Sequence, residues 1–469
     1  MIHVCENMLL PINKIPPEIL ALIPDFWDTR DRDEDVIALT HVCRAWREVF
    51  VSRSCLWTNF DCLDEEKTRV YFERSKPSPI NLSLNLSGGI FPCNPFFQII
   101  PHATGRLKSL FVRGLTEDVE VVISHLSHPA PLLERLSIRS DPLLARRDPV
   151  LPSALFNGDL SSLRVLHLKS VHTELPWKNM VNLTSFTLSH TPEKIPAGRL
   201  LDFFESAPHL EEIELCFVNP TAGAQNRRVV LLECLKNMYI QIDGTPSDLL
   251  DHLLIPVDAK LEIVAELLSS LIGVHLPRSL DNLKNLPNFT TIQLHLGGPS
   301  PSMKFSGPNG TVSTTFSDLP HDPTGVALES LAELDISKTE RLEIDCGCLG
   351  FREPLYQALL SMNDLRTLTL SGCRFPHIFI YALQPSMSPS EVVVCPKLEE
   401  LVLVLHPHER MFHTTRVIEM AAERASRGEK LRTFSVFGGQ SIANVDVSEL
   451  RKHVWNVEYG PGFSCRHPT

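Results

Sequence analysis

The sequence lacks a basic stripe. Lys and Arg number 44 against 56 Asp and Glu, a formal net charge of −12 over 469 residues. Nothing is poised to neutralise a run of phosphates, so a nucleic-acid partner is not expected. No uninterrupted apolar run approaches the ~20 residues that cross a bilayer, and no membrane partner is expected either. The opening "MIHVCENMLLPINK" has no basic leader followed by a long apolar run and a small-residue cleavage site, so it does not read as a signal peptide. The expected compartment is therefore cytoplasmic or nuclear, with the twelve cysteines as reduced thiols. The five Asn-x-Ser/Thr sequons, at Asn81, Asn85, Asn182, Asn288 and Asn309, then read as chance matches.

Catalytic signatures are missing as well. There is no Gly-x-Ser-x-Gly elbow, Walker loop or dinucleotide fingerprint, and "SGPNG" and "FGGQS" lack the strand-to-helix setting in which glycines cradle a phosphate. "CGC" at Cys346 and Cys348 and "HPH" at His406 and His408 have no second pair at a zinc-type spacing. No cofactor or metal is expected, and the chain is not expected to be an enzyme.

What is present is 43% apolar residues in a chain too long for one compact core, which implies several modules or one elongated repeat. In "DVIALTHVCRAWREVFVSRSCLWTNF", Val36, Leu39, Val42, Cys43, Trp46, Val49 and Phe50 recur at helical period, predicting one helix with an apolar stripe. Upstream, "KIPPEILALIPDFW" predicts a helix opened by Pro16 and Pro17 and kinked or ended by Pro24. Helices this short cannot bury both Trp46 and Trp57 and all their aliphatic residues among themselves. An apolar face is left over for a partner.

Three elements in order, "IPPEIL", "HVCRAWREV" and "LWTNF", resemble the F-box motif, whose pattern runs Leu-Pro-x-Glu-Ile/Leu-Leu, Val-Cys-x-x-Trp, Leu-Trp. "YFERSKPSPINLSL" is similar to the segment that leads out of the F-box in many fungal members. The departures are Ile15 for the usual leucine and Pro24 late in the first helix. The resemblance covers about the first sixty residues. It implies binding to the Skp-type adaptor of a Skp–cullin–F-box ubiquitin ligase through Ile15, Pro16, Ile19 and Leu20 of the first helix and Val42, Cys43 and Trp46 of the next. For Trp46 and Trp57 taken singly, burial in a core is the competing role.

The rest of the chain repeats a hexad, Leu-x-x-Leu-x-Leu. It recurs as "LKSLFV", "LERLSI", "LRVLHL", "LTSFTL", "LEEIEL", "FTTIQL", "LAELDI", "LRTLTL", "LEELVL" and "LRTFSV", at intervals of about twenty to forty residues. "MYIQID" at Met238 and "LIGVHL" at Leu271 are further candidate strands. Alternation sends the fourth and sixth positions into a core and the third and fifth to the opposite face. One strand with its return cannot cover its own leucines, so units must stack. The expected fold class is α/β: a small N-terminal helical F-box (10–62), a connecting helix (63–78) and a curved leucine-rich-repeat-like solenoid with a parallel sheet (79–462). The Gly- and Pro-rich stretch 297–325 is expected as an insertion, a hairpin or a loop; read as a hairpin, its Asn309-Gly310 turn could carry it out from the solenoid.

The expected function is substrate recognition in a Skp–cullin–F-box type ligase, the repeat region recruiting a target protein. The alternative is a leucine-rich-repeat scaffold or ligand-sensing protein with no ubiquitin role. Among third- and fifth-position residues, Glu212, Glu214, Glu333, Asp335 and Glu400 are acidic. They are either ordinary solvated strand residues or a patch that takes a basic segment of the target.

Overall fold

Each hexad that the structure describes puts its first, fourth and sixth residues out of water. Leu163, Leu166 and Leu168 are buried, as are Leu365, Leu368 and Leu370, whereas His167 and Thr369 between them are half-buried. The computed structural model describes residues 11–20, 22–23, 32–62, 64–86, 94–141, 148–173, 180–191, 194–218, 220–221, 228–243, 247–267, 289–296, 302–308, 310–316, 331, 336–345, 352–373, 377–387, 393–406, 414–438 and 447–460. It is mixed α/β with mostly parallel strand pairing that does not close on itself. The chain divides into two units, Met1–Glu193 with Asp202–Leu210, and Lys194–Leu201 with Glu211–Thr469. Residues 10–62 and the strands between Ile80 and Ser189 fall within the first.

In the first unit, helices α1 (Pro17–Leu20), α2 (Arg32–Val42), α3 (Arg44–Ser52), α4 (Glu65–Arg74), α5 (Asn94–Ala103) and α6 (Thr116–Ser124) accompany a main ladder of six strands, besides the short parallel pair Val150–Leu151 and His172–Thr173. The six are β1 (Asn59–Phe60), β2 (Ile80–Asn85), β3 (Leu107–Gly114), β4 (Arg135–Ser140), β5 (Val165–Lys169) and β6 (Ser185–Ser189), paired in that order and all parallel. Phe60, Leu82, Leu110, Leu136, Leu166 and Phe186 lie side by side in register, a continuous buried row.

The single helix expected from Val36 to Phe50 is two helices, broken at Cys43, whose backbone is extended (φ −159°, ψ 173°). Arg47 bridges the break, its Nε donating to the Thr40 carbonyl at 2.9 Å. One straight rod would expose the whole stripe; folding back lets α2 bury Val36 and Leu39, and α3 bury Trp46 and Phe50, against each other. Val42, at the corner, is thrown outward. Trp57 seals the base of this helical group: its Nε1 donates to the Phe50 carbonyl at 3.0 Å, Tyr71 meets its ring edge-on and the Arg74 guanidinium lies 4.4 Å above it. Asp64 caps α4 by accepting from the Lys67 amide at 2.6 Å.

The second unit contains β7 (Glu212–Cys216), β8 (Asn237–Asp243), β9 (Lys260–Leu267), β10 (Thr291–His295), β11 (Ser302–Ser306), β12 (Gly310–Phe316), β13 (Arg341–Asp345), β14 (Thr367–Cys373), β15 (Glu400–Leu405), β16 (Thr433–Phe437) and β17 (Asn456–Gly460). The lateral order is β7-β8-β9-β12-β11-β10-β13-β14-β15-β16-β17, parallel except that β11 is antiparallel to both its neighbours. Within the stretch 297–325, the described strands Ser302–Ser306 and Gly310–Phe316 pair as a hairpin that is not an appendage, because β11 and β12 are rungs of the ladder. Met303, Phe305 and Val312 are buried in the same alternation as the strands beside them, and an exposed hairpin would leave all three in water.

Three further differences have local causes. The hexad "LAELDI" is not the next rung. Leu331 belongs to a helical turn and the strand is β13, where Thr339 takes the first position ahead of Leu342 and Ile344. Strand β9 escapes the motif because Asp258 stands where a leucine is expected before Leu261 and Ile263. "LIGVHL" lies outside the described residues, whereas "MYIQID" falls in β8.

Helices α7 (Arg352–Ser361), α8 (His377–Leu383), α9 (Thr414–Ser426) and α10 (Val447–His453) pack each on the next behind the later strands. Arg424 of α9 is wholly buried and forks onto the carbonyls of Val394 and Cys395, both at 2.8 Å. Cys395 sits at positive φ (50°), which aims those carbonyls at the guanidinium. At Gly438 (φ +72°) a Cβ would come within 2.9 Å of the Leu405 carbonyl, so glycine alone fits there.

Candidate protein-binding surfaces

The first surface is the N-terminal helical group. Of the residues named for adaptor binding, Pro16, Ile19 and Val42 are exposed, Ile19 and Val42 each at 53%. Ile15 and Cys43 are half-buried, and Leu20 and Trp46 are buried. Leu20 and Trp46 are thus not available to fill a partner's pocket. Leu20 belongs to α1, which packs on α3, and the ring of Trp46 meets Phe50 edge-on at 5.7 Å, so both residues hold the helices that present Ile19 and Val42. Ile12, Leu22 and Ile37, which sequence reasoning did not select, are also exposed. Water would not hold so many large apolar side chains outward in one short segment at no cost.

The second surface is the outward face of the strands in the second unit. Glu212 and Glu214 are exposed on β7. Tyr239 of β8 is registered between Glu214 and Glu262 of β9, a third carboxylate that the hexad search missed with its strand. Cys216 donates from Sγ to Glu214 Oε1 at 3.4 Å. Its thiol is pushed up to about 12 by burial first and then by the Glu214 charge, and the Tyr239 hydroxyl is raised for the same first reason. Glu400 does not join this group: β15 lies eight strands along from β7, a path of about 38 Å measured along the ladder at the usual strand spacing. There it is half-buried and accepts from Thr367 Oγ1 at 3.3 Å. Glu333 and Asp335 lie outside the described residues. Of the five acidic residues, Glu212 and Glu214 stand together on β7, with Glu262 two strands along on β9.

The outward face of the first unit has the opposite sign. Arg113 of β3, Arg139 of β4 and Lys169 of β5 are directly opposite one another in register, and Arg135 precedes Arg139 on β4. All four are exposed. None falls within the third and fifth positions that sequence reasoning scanned for charge except Arg135; the other three sit in the seventh, beyond the hexad. Their only signal was a basic residue directly after each sixth position.

Charges also alternate along the second hexad position, where the strands begin. Lys108 faces Glu134 at 3.5 Å, Glu211 faces Lys236 at 2.7 Å, and Arg366 faces Glu399 at 3.3 Å. In the first unit this rim borders an open cleft of about 280 Å³ lined by Lys108, Glu134 and Arg164. Among the described residues no group of three or more His, Cys, Asp or Glu could hold a metal; Cys346, Cys348 and His408 lie outside them. No described helix is long and apolar enough to cross a membrane. Neither a known family model nor a curated protein matches the chain.

Proposed function

We propose that this chain is a substrate-recognition subunit of a Skp–cullin–F-box type ubiquitin ligase, with the N-terminal helices docking on the Skp-type adaptor and the strand region capturing a target protein. The observation that carries the proposal is the outward display of Ile19 and Val42, with Pro16, on the segment whose sequence resembles the F-box. In this reading the fold is a helical F-box over 10–62, a connecting helix over 63–78 and a curved leucine-rich-repeat-like solenoid over 79–462. The chain is not itself an enzyme and works in the cytoplasm or nucleus. Partner subunits perform ubiquitin transfer, and this chain supplies proximity and orientation of the target. Glu212 and Glu214, with Glu262 beside them, are the part of the proposed acidic site that stands together, and it would favour a basic segment.

Leu20→Asp would unfold the helical group it is packed in, so the informative variants are Ile19→Asp and Val42→Asp in the full-length chain. Each should reduce co-purification of a Skp-type adaptor at least tenfold with an unchanged thermal melt. Adaptor recovery at the wild-type level in both variants would favour the scaffold without a ubiquitin role.

A further inference from the structure

Like charges directly opposite each other on neighbouring strands destabilise a sheet. Arg113, Arg139 and Lys169 nonetheless occupy three consecutive parallel strands at one register, about 4.8 Å apart strand to strand. Flanking strands carry Asn85 and Ser189 at the same level, so the sheet geometry itself does not require a cation there. Packing does not explain them either, since all three side chains are exposed. Arg113 is partly neutralised by Asp141, Nε to Oδ2 at 2.9 Å. Among the described residues, Arg135, Arg139 and Lys169 have no acidic partner. The Arg139 guanidinium lies over the Phe111 ring at 5.5 Å, which holds its fork in one place above the sheet. Ser137, between Arg135 and Arg139 on the same strand, has a hydroxyl without a hydrogen-bond partner among the described residues.

We infer that this face binds a short anionic peptide segment, its carboxylate or phosphate groups lying across β3, β4 and β5 against Arg113, Arg135, Arg139 and Lys169. Guanidinium groups pair with either anion through two parallel N–H bonds, and the relief of cation–cation repulsion adds to the attraction. A nucleic acid is the poorer occupant. Four cations suit a few anionic groups, and a chain of net charge −12 repels a long polyanion at a distance. As a description of what the substrate receptor captures, the inference rests on the function proposed above. The binding itself is measured without adaptor, so either can fail alone.

The test uses the full-length chain and fluorescence anisotropy with three labelled decapeptides of alternating Gly and Glu, Gly and phosphoserine, and Gly and Ser. The Glu peptide, the phosphoserine peptide or both should bind, more weakly as salt rises, and the Ser peptide should not. Which of the two anionic peptides binds more tightly identifies the source of the anion. Arg139→Glu and Lys169→Glu, at exposed positions, should each weaken capture at least tenfold while the melting temperature holds. Arg139→Lys, which keeps charge without the fork, should recover part of the loss. The inference is overturned if neither anionic peptide binds better than the Ser peptide, or if charge reversal leaves capture intact. A single-stranded RNA oligonucleotide that binds more tightly than both peptides would also overturn it, by assigning the face to nucleic acid.

Discussion

At the scale of single residues, environment decides chemistry that composition leaves open. Twelve cysteines invite a reactive role, but burial and the neighbouring Glu214 carboxylate both disfavour the Cys216 thiolate and push its thiol up to about 12. At pH 8, iodoacetamide should therefore modify exposed Cys55 and Cys234 well before Cys216, as followed by peptide mass spectrometry. Glu214→Gln removes the charge and leaves burial, so Cys216 labelling should rise severalfold without matching the exposed thiols. Labelling of Cys216 at the rate of Cys55 in the wild-type chain would contradict this account. Arg424 shows the converse case. A long cation in an amphipathic helix reads as solvated, and only the fold brings the carbonyls of Val394 and Cys395 to it.

At the scale of elements, the hexad states which strand residues face inward, and the structure bears it out where the hexad is intact. Leu368 is fully buried while Thr369 is only half-buried, so Leu368→Ala should cost about 2–5 kcal/mol and Thr369→Ala well under 1 kcal/mol, read from denaturant midpoints. Equal losses would contradict the alternation. The hexad fails where a polar residue takes its first place, as with Asp258 before β9 and Thr339 before β13, because that place is a turn whose burial the neighbouring units determine. The helical stripe fails differently. Its period is right on both sides of Cys43, but periodicity within one segment cannot show that the segment folds back on itself.

At the scale of the whole molecule, continuity of the ladder is what holds each unit, since no strand covers its own apolar row. In the second unit β11 and β12 connect β9 to β10, so the hairpin is structural. Deleting 302–316 and rejoining the chain with a short Gly-Ser linker should lower the melting temperature by many degrees and broaden the transition, followed by far-UV circular dichroism. A neutral deletion would restore the picture of a projecting insertion. What the sequence determined by itself was the local grammar: which residues alternate, which recur at helical period, and that units too small to cover themselves must stack. These follow from the geometry of one strand or one helix. Only the tertiary structure decided which strands are neighbours and in what register, because pairing is a choice among distant segments that look alike. Register is what separates Glu400 from Glu212 by eight strands and lines up Arg113, Arg139 and Lys169, so the charge of each face was settled only when the strands were paired.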